Sequence, residues 1–578
     1  MTHSYKTYWQ KIQPLSDVKL PGHYDPLIEK ILASRGMTDY EQMSEFLSDR
    51  PQLTYDPFLL KGMMEAVNRI TEALDKQEKI VFYGDYDVDG ITSVALLIDF
   101  FFPLTQKIEF YIPLRQEEGY GLNRDALLEI REDYQADLVI TVDCGISALE
   151  EISYARSIGL DMIITDHHTP GEQLPKAIII NPKQPGCAYP FKELSGCGVA
   201  FKLAQALQQQ MELPKSQLTE LLDLVALATV CDVVPLQNEN RTLLKYGLKR
   251  IRRTERCGLL ALISALSLKK DQIGVRDLGF VIGPHFNASG RIDDARKGVQ
   301  LLVTKNPQTA KSIAERLKLL NLERRDIQEA GLEQCHHLVK DRYPKDPFLV
   351  VEGDDLHEGV IGIIAGRLRD SYYRPTIVLT PSQEPGIYTG SGRSVEGFHL
   401  FNELQPVASL MERFGGHANA CGLKIKKENI HNLREYLGER VLNMEEHSPD
   451  LLCKKIRIVE DLTPLDVSES LVMEIMRLEP YGMGNEKPYF RMKNIVTDQN
   501  SMIRTMGAVG QHLKVCGFLQ DDQPEEQGIE ILGFGVDEQV KHLMLSLKPF
   551  DLVFYPQINE FRGKKCVQLM IKDVKPTE

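Results

Sequence analysis

Between residues 80 and 180, short apolar runs alternate with stretches of helical periodicity. Each run has the length of a buried strand, and the stretches between the runs repeat apolar residues at the spacing of one helix face. This alternation predicts a parallel sheet with crossover helices, which is an α/β fold. The predicted strands are Ile80–Tyr83, Ile108–Ile112, Leu138–Val142, Met162–Thr165 and Ala177–Ile180, and the predicted helices are Thr92–Phe101, Arg124–Glu132 and Ser147–Ser157.

The pattern changes further along the chain. A more helical region from Val199 to about Lys269 precedes one long amphipathic helix over Pro307–Lys340, which we interpret as a connector. A second, smaller α/β unit begins at Pro347. From Ile456 onwards, short apolar runs separated by turn residues predict a small β-barrel or sandwich.

Composition narrows the class of protein only slightly. With 578 residues, 43% of them hydrophobic and 26% charged, the chain is an ordinary globular protein of roughly three or four domains. Its net charge of −14 argues against a uniformly basic nucleic-acid coat but allows a locally basic groove. No signal core or membrane span is evident, so we expect a cytoplasmic protein. The ten cysteines form no Cys-x-x-Cys pair, which favours reduced thiols.

The densest acidic cluster follows the first predicted strand. Asp85, Asp87 and Asp89 fall within one turn in Tyr83–Gly90. Like charges this close require neutralisation, and a hard divalent cation is the usual partner of oxygen ligands. An EF-hand calcium loop is the alternative, but Leu96 stands at its twelfth position, where a bidentate Glu is required. We therefore favour a catalytic metal site.

Polar clusters also follow two later strands. Asp143 follows the third predicted strand, and Asp166-His167-His168 follows the fourth. A lone Asp at such a position is usually a helix cap and a lone His a satisfied residue, but three clusters in successive strand–helix units weaken that explanation. Asp232, after an apolar helical run, is a further candidate that could equally be a turn aspartate.

Together these motifs resemble the DHH phosphoesterase superfamily. Within it, Gly84–Gly90 resembles the RecJ branch, the single-strand-specific 5′→3′ DNA exonucleases. The chain departs from that pattern at His285-Phe286, where an Arg-Ile pair is expected, and at Leu356, where a Trp is expected. Other segments resemble the remaining landmarks of the branch, its DHH-associated domain and the start of its OB-fold: Gly283-Pro284, Asn287–Arg291, His357–Gly362, Gly390–Ser394, Gly415–Gly422 and Leu478–Asn485.

The resemblance implies a catalytic metal centre. Carboxylates with a neutral imidazole suit Mn²⁺ or Mg²⁺, and we expect Mn²⁺ first because it accepts imidazole more readily. Several bridging-capable carboxylates favour two ions ~3.5–4 Å apart, an arrangement suited to phosphodiester hydrolysis. His168 is expected to stabilise the transition state or protonate the leaving 3′-oxygen, or else to orient a ligand. The expected metal ligands are Asp85, Asp87, Asp89, Asp143 as the bridge, His167 and Asp232, with Asp85 either direct or outside the ligand shell, and the expected catalytic residues are His168, Asp166 and Asp143.

The resemblance also implies contacts with DNA. Arginine and hydroxyl donors in Gly-rich turns suit phosphate oxygens, and a pocket for the 5′-terminal phosphate would set the polarity of the enzyme. Ordinary surface charge is the alternative for any single Arg, and a buried turn histidine is the alternative for His417. The expected contacts are Arg115, Asn287, Arg291, His357, Ser391, Gly392, Arg393 and His417.

Two basic regions are less specific. The densest positive stretch, Arg241–Arg256, has a solvated helix face as its default interpretation and a DNA contact as its secondary one. The C-terminal β region mixes aromatic and basic side chains, which suits both a core and an OB-fold that stacks bases. Its residues are Tyr489, Phe490, Phe518, Phe554, Tyr555 and Phe561 among Arg491, Lys514, Arg562, Lys564 and Lys565.

We therefore predict an α/β protein with five segments: an N-terminal extension (1–60), a parallel-sheet DHH catalytic domain (61–305), a connecting helix (306–344), a smaller α/β DHH-associated domain (345–450) and a C-terminal OB-fold (451–578). The leading hypothesis is a single-stranded-DNA exonuclease that releases 5′-mononucleotides in recombination and repair. A phosphodiesterase of short oligonucleotides or cyclic dinucleotides and a non-catalytic single-strand-binding scaffold are the alternatives. Single-stranded DNA is the expected partner of a monomer, and a single-strand-binding protein and a helicase are partners only by family analogy.

Overall fold

The computed structural model describes residues 6–13, 20–115, 118–119, 121–497, 504–506, 512–519, 528–536, 538–561 and 563–577. The chain divides into two compact units. The parallel-sheet unit holds Glu41–Arg324 and Leu478–Glu486, and the mixed-sheet unit holds Met1–Tyr40, Arg325–Arg477 and Lys487–Glu578. No helix in the described residues is long and apolar enough to cross a membrane.

A five-stranded, all-parallel sheet forms the centre of the parallel-sheet unit. Its side chains alternate between two hydrophobic cores, because successive residues of a strand point to opposite faces. Phe82 and Ile140 pack in one core, and Val81 and Val139 pack in the other. Burial of both faces explains why the strands are continuous apolar runs. In spatial order the strands are Ile108–Tyr111, Ile80–Gly84, Leu138–Val142, Asp161–Thr165 and Ile178–Ile180.

Helices surround this sheet and extend beyond it. The predicted helix Arg124–Glu132 is confirmed, whereas the helix predicted to begin at Thr92 begins at Val88, because the side chain of Asp87 caps it. The α-helices of this region are Tyr40–Leu47, Met63–Asp75, Val88–Phe101, Arg124–Glu132, Leu149–Ser157, Gly196–Gln210, Lys215–Cys231, Asn238–Ile251, Cys257–Ala265, Val275–Asp277, Gly283–Ile292 and Arg296–Val303.

The long helix predicted after residue 306 spans Pro307–Arg342. The division between the two units falls within it, at Arg324. Its first half buries Leu317 and Leu320 in a core of the parallel-sheet unit, and its second half buries Cys335 and Val339 in a core of the mixed-sheet unit. The apolar stripe of this helix therefore packs into one core with its first half and into another core with its second half.

The smaller α/β part of the mixed-sheet unit is built on a second five-stranded sheet. Its strands pair in antiparallel fashion except for the first two in the chain, which are parallel. In spatial order they are Met411–Gly416, Ala420–Lys426, Ile387–Arg393, Thr376–Pro381 and Leu349–Glu352, and the α-helices are Glu358–Tyr372, Leu400–Leu404 and Ile430–His447.

The C-terminal part forms a closed barrel, as predicted. The strand Tyr489–Thr497 pairs with two strands, Phe550–Phe561 and His512–Leu519, which closes the ring. The other two strands, Ile529–Gly533 and Lys564–Pro576, complete it. Five strands in such a ring are the architecture of an OB-fold. Strands Lys454–Asp461 and Arg504–Met506 extend the sheet, and the helices of this part are Pro26–Ala33, Glu469–Met476 and Glu538–Leu545.

A strand near the start of the chain joins this C-terminal sheet. Thr7–Lys11 runs parallel to Lys454–Asp461. The carboxylate of Asp573 accepts hydrogen bonds from the Thr7 hydroxyl and the Trp9 indole, both at 2.7 Å. The sequence offered no sign of this pairing, since the two partners lie more than 400 residues apart.

The default interpretation of Arg241–Arg256 as a solvated helix face is wrong for two of its arginines, one buried and one largely enclosed. Arg241 is only 2% exposed and donates to the carbonyl oxygens of Phe46 and Glu479. Arg256 forms ion pairs with Asp223 and Asp99. Both guanidinium groups therefore connect separate segments of the protein, Arg241 through carbonyl oxygens and Arg256 through carboxylates. A cation removed from water needs such partners.

The aromatic residues of the barrel are largely core. Phe490 and Phe554 are fully buried, and Tyr555 is 6% exposed. Tyr489 and Phe518 are half-buried. Arg562 and the side chains of Phe561 and Lys564 lie outside the described residues.

Candidate metal centre

The acidic turn after the first strand is held by its own backbone. Asp87 caps the helix Val88–Phe101, and its Oδ1 accepts hydrogen bonds from the amides of Asp89 and Gly90. A Cβ atom at residue 90 would lie 2.3 Å from the carbonyl oxygen of Asp85, so only glycine fits this turn. The tight turn brings three carboxylates to one end of the sheet.

Asp89 is anchored by a second helix, which the sequence analysis missed. Its carboxylate accepts hydrogen bonds from the amides of Gly196 at 2.6 Å and Cys197 at 2.8 Å, at the start of the helix Gly196–Gln210. A helix N-terminus stabilises negative charge. A Cβ atom at residue 196 would lie 2.6 Å from that of Asp143, so glycine also makes room for a second carboxylate. The run Ser195-Gly-Cys-Gly after Leu194 was the available signal.

The four sequence motifs converge on His167. Its Nε2 lies 3.1 Å from Oδ1 of Asp143, 3.6 Å from Oδ2 of Asp232 and 3.8 Å from Oδ2 of Asp89. Asp143 directly follows the strand Leu138–Val142, and Asp232 caps the carboxyl end of the helix Lys215–Cys231. Parallel strands share one carboxyl edge, which explains why separate segments meet here.

The potential ligand atoms form overlapping groups. Asp85, Asp87 and Asp143 bring one oxygen each to within 4.8 Å of one another. The same limit holds for Asp89, His167 and Asp232, and for Asp143 with His167 and His168. Asp143 and His167 each belong to two of these groups, and of the two only the carboxylate of Asp143 has two oxygens with which to bridge a pair of cations.

Burial makes the charged carboxylates unfavourable without a counter-charge. Desolvation, followed by the charge of Asp87, raises the pKa of Asp89 to about 7. Desolvation likewise raises the pKa values of Asp85, Asp143 and Asp232, each with a contribution from neighbouring carboxylates. Desolvation lowers the pKa of His167 to about 3, so its imidazole is neutral at neutral pH and able to bind a cation.

The donor atoms fit a divalent cation. Among the described residues, Asp85 Oδ1, Asp143 Oδ1, Asp232 Oδ2 and His167 Nε2 are buried without a hydrogen-bond partner. Buried polar atoms are normally satisfied, and an ion is one accepted explanation of exceptions. Oxygen ligands with one imidazole are the donors that Mn²⁺ and Mg²⁺ accept.

Asp166 is fully engaged with protein donors. Its Oδ1 accepts from the amides of His167 and His168 and lies 2.8 Å from Nδ1 of His168, while its Oδ2 accepts from the amide of Ile146. Burial alone would lower the pKa of His168, but the hydrogen bond with Asp166 raises it. Asp166 therefore fixes the orientation of His168 and favours its protonated form.

Three of the expected DNA contacts lie around the acidic turn. The guanidinium of Arg115 lies 5.1 Å from the centre of the Tyr86 ring. A Cβ atom at Gly290, next to Arg291, would lie 2.4 Å from the carbonyl oxygen of Tyr86. The side-chain oxygen of Asn287 accepts a hydrogen bond from the amide of Val88 at 3.2 Å. Asn287 thus supports the turn that carries the carboxylates.

The other expected contacts belong to the mixed-sheet unit. His357 caps the helix Glu358–Tyr372, and its Nδ1 accepts from the amide of Gly359. A Cβ atom at Gly362 in the same helix would lie 2.9 Å from Ser391 Oγ and 3.0 Å from a guanidinium nitrogen of Arg393. The first turns of this helix, the hydroxyl of Ser391 and the guanidinium of Arg393 therefore lie side by side.

His417 lies in the hairpin between Met411–Gly416 and Ala420–Lys426, and it is exposed. The alternative of a buried turn histidine is therefore wrong. His285, which replaces the expected Arg, is buried: its Nδ1 lies 2.6 Å from the carbonyl oxygen of Val281 and its Nε2 lies 3.1 Å from Asn321 Nδ2.

Known proteins resemble the chain over nearly its whole length. Family sequence models match three segments: the DHH family, N-terminal domain at residues 79–229, the DHHA1 domain at 345–443 and the RecJ OB domain at 460–573. The chain is 39% identical to the single-stranded-DNA-specific exonuclease RecJ of Bacillus subtilis, over 96% of this chain and 69% of that protein. It is 34% identical to RecJ of Escherichia coli, over 96% of this chain and 97% of that protein.

Solved structures agree with these sequence matches. The crystal structure of RecJ in complex with Mn²⁺ from Thermus thermophilus superposes with a TM-score of 0.81 and 26% identity, covering 99% of this chain and 80% of that one. The corresponding complex with Mg²⁺ gives a TM-score of 0.76 at 25% identity, covering 99% of this chain and 79% of that one. This chain belongs to the RecJ family of DHH proteins.

Proposed function

We propose that this protein is a metal-dependent exonuclease that hydrolyses single-stranded DNA from 5′ to 3′ and releases 5′-mononucleotides. The observation that carries the proposal is the convergence of four buried, unpartnered ligand atoms at the carboxyl edge of the parallel sheet. Relatives that share about a third of their residues with this chain are single-stranded-DNA-specific exonucleases, and the solved RecJ structures are complexes with Mn²⁺ and Mg²⁺.

Two cations fit the overlapping groups of ligands. Asp85, Asp87 and Asp143 would hold one ion, and the group Asp89, His167 and Asp232 would hold the other, with Asp143 between them. Mn²⁺ is our first choice because one ligand is an imidazole. When bound, such ions lower the pKa of water and stabilise the negative charge that develops on a phosphoryl group.

The protein's own residues supply orientation and a proton. We propose that His168, which is oriented by Asp166 and whose pKa the hydrogen bond with Asp166 raises, stabilises that charge or protonates the leaving 3′-oxygen. Both carboxylate oxygens of Asp166 accept hydrogen bonds from protein groups, and Oδ1 lies 2.8 Å from Nδ1 of His168, so we assign Asp166 to positioning His168. Asn287 and Gly90 maintain the turn that presents the carboxylates.

Recognition of a 5′-phosphate would give the enzyme its polarity. In the mixed-sheet unit, Ser391 and Arg393 lie beside the first turns of the helix that His357 caps. Guanidinium, hydroxyl and helix amides are a favourable combination for phosphate. Gly392 between them and the exposed His417 complete the proposed contacts of this unit. In the parallel-sheet unit, Arg115 and Arg291 are proposed to contact the DNA backbone.

We further propose a cytoplasmic monomer that acts in DNA recombination and repair. By analogy with the family, we propose a single-strand-binding protein and a helicase as its partners. We also propose domain boundaries near residues 60, 305, 344 and 450.

The test compares 5′-labelled and 3′-labelled single-stranded DNA of ~20–60 nucleotides in Mn²⁺ and in Mg²⁺. We expect the 5′ label to appear first as a mononucleotide, and duplex DNA of the same sequence to resist digestion. Asp143→Ala is expected to remove hydrolysis while binding of single-stranded DNA persists, because the barrel is untouched.

Other outcomes would replace the proposal. Release of the 3′ label first would reverse the polarity, and activity restricted to dinucleotides would favour the small-substrate phosphodiesterase. Binding without cleavage by the wild-type protein in either metal would favour the scaffold, and retained hydrolysis in Asp143→Ala would reject the two-ion assignment.

A further inference from the structure

A short loop from late in the chain belongs to the parallel-sheet unit. Residues Leu478–Glu486 lie in that unit, although the chain on both sides of them belongs to the mixed-sheet unit. Their sequence is Leu-Glu-Pro-Tyr-Gly-Met-Gly-Asn-Glu. We call this segment the return loop. The proposed function assigns it no task.

The return loop is held in shape by one buried side chain. Asn485 is 0% exposed, and its amide nitrogen donates to the carbonyl oxygens of Leu478 at 2.8 Å and Pro480 at 2.7 Å. The backbones of Gly482 and Asn485 exchange two hydrogen bonds, at 3.0 and 3.1 Å. A buried, fully engaged amide of this kind specifies a single loop conformation.

This loop packs on the segment that directly follows Asp232. The amide of Leu236 donates to the carbonyl oxygen of Met483 at 2.8 Å, and the side chain of Gln237 donates to that of Gly484. A Cβ atom at Gly482 would lie 2.4 Å from the side chain of Leu236, which would have to move to admit it. These contacts hold the chain four and five residues beyond the proposed ligand.

The buried Arg241 reinforces the same attachment. One of its guanidinium nitrogens donates to the carbonyl oxygen of Glu479 at 2.7 Å, and its Nε donates to that of Phe46 at 2.9 Å. Arg241 lies in the first turn of the helix Asn238–Ile251, directly after the segment that the return loop covers.

The backbone next to Asp232 needs such support. Val233 has φ 60°, a left-handed conformation that β-branched residues rarely adopt, and its side chain is 58% exposed. A conformation of this kind persists only where the surroundings impose it. On the amino side the backbone continues from the helix Lys215–Cys231, and on the carboxyl side the return loop contacts Leu236 and Gln237.

We propose that the return loop is a positioning element for Asp232, so that the affinity of the cation held by Asp89, His167 and Asp232 depends on it. The inference rests on the proposed function for the identity of this site. The other cation, held by Asp85, Asp87 and Asp143, does not depend on the loop, because none of these residues lies next to the segment it covers.

The test measures Mn²⁺ binding by the metal-free, full-length protein, from the electron paramagnetic resonance signal of free Mn²⁺ and from calorimetry. Gly482→Ala inserts a methyl group against Leu236, and Gln237→Ala removes one hydrogen bond to the loop. Each is expected to weaken one of the two Mn²⁺ equilibria by about tenfold, the usual effect of a lost outer contact to a metal ligand, and to leave the other nearly unchanged. Hydrolysis of single-stranded DNA should need correspondingly more Mn²⁺ but reach the wild-type rate at saturation.

Matched variants separate positioning from folding. Met483→Ala alters an exposed side chain of the same loop but keeps the carbonyl oxygen that Leu236 contacts, so it should bind Mn²⁺ like the wild type. Adding Leu236→Ala to Gly482→Ala makes room for the methyl group and should restore part of the affinity.

Unchanged Mn²⁺ affinity in Gln237→Ala and Gly482→Ala would overturn the inference. Equal weakening of both equilibria together with a lower melting temperature would also overturn it, since the loop would then serve only general stability. If Gly482→Ala does not fold, Gln237→Ala decides alone. If the wild type binds two Mn²⁺ ions without cleaving DNA, the proposed function fails, while the Mn²⁺ equilibria still test the loop.

Discussion

The parallel sheet and the C-terminal barrel differ in how far apart in sequence their interacting residues lie. In the parallel sheet each strand pairs with strands that are one or two strand–helix units away in the chain. In the C-terminal sheet, Thr7–Lys11 pairs with Lys454–Asp461 and is fastened by Asp573. The first region carries its chemistry at strand ends that a local pattern identifies, and the second depends on contacts that no local pattern reveals.

The two regions also use charged side chains differently. In the parallel-sheet unit, buried carboxylates crowd together at the candidate metal centre, whereas Arg256 pairs with two aspartates elsewhere in the same unit. In the C-terminal sheet, Asp573 is satisfied by neutral donors. We expect the crowded carboxylates to favour activity at the expense of stability. The ion pairs of Arg256 and the hydrogen bonds of Asp573 are expected to favour stability.

The largest effect is expected from neutralising the proposed bridging ligand. Asp143→Asn should reduce hydrolysis by about 10³-fold or more, the equivalent of about 4 kcal/mol of lost transition-state stabilisation. Because burial and the neighbouring Asp89 raise the pKa of Asp143, removing its charge should raise the melting temperature in the presence of a chelator. A nuclease assay in Mn²⁺ measures the first effect, and thermal unfolding in the presence of a chelator measures the second.

Asp75→Asn, which removes an exposed carboxylate at the end of another helix, is the control and should change neither quantity. A lower melting temperature for metal-free Asp143→Asn would contradict the view that this region gives up stability for its chemistry.

A large loss of stability is expected from Arg256→Met. The substitution leaves Asp223 and Asp99 without their shared cation, and breaking a buried ion pair in this way costs about 3–5 kcal/mol. Hydrogen exchange of the buried amides in Lys215–Cys231 measures the loss locally.

Arg253→Met lies in the same basic stretch but at an exposed position, and it should leave exchange unchanged. If both variants behave alike, the arginines of this stretch are equivalent surface charges, as the sequence first suggested.

A smaller effect is expected from Asp573→Ala. Loss of the acceptor for Thr7 and Trp9 should free the N-terminal strand at a cost of about 1–3 kcal/mol. Trp9 is the single tryptophan of the chain, so its fluorescence should shift to longer wavelength as the indole becomes hydrated.

Glu560→Ala, an exposed position on a neighbouring strand, should leave the spectrum of Trp9 unchanged. An unaltered spectrum in Asp573→Ala would show that backbone pairing alone holds the strand, and would weaken the contrast with the parallel sheet.

Much of the fold was accessible from the sequence. All five strands of the parallel sheet were placed to within a few residues, because burial on both faces produces continuous apolar runs. The long helix and the closed barrel were also predicted, and the expected resemblance to the RecJ branch is confirmed by near-full-length relatives. The expected α/β class with an OB-fold follows from the same findings.

Features that depend on distant contacts were not accessible. The sequence of residues 7–11 does not indicate that this strand pairs with the strand that begins at residue 454. The basic residues Arg241 and Arg256 look like surface cations in the sequence, because burial is decided by which helices pack around them. Likewise Gly196 is an ordinary helix residue until its closeness to Asp143 is seen. The proposed site residues follow from motif positions, and their individual roles stay predictions.

The return loop limits how freely this protein can be divided into modules. The match to the RecJ OB domain begins at residue 460, so a gene cut there would assign Leu478–Glu486 to the C-terminal fragment. The segment after Asp232 would then lose the contacts from Met483 and Gly484. Exchange of C-terminal domains between relatives, in the laboratory or in evolution, would carry part of the metal centre's support with it. The stretch of chain that has to be exchanged as one piece is therefore larger than either the DHH domain or the OB domain defined by sequence.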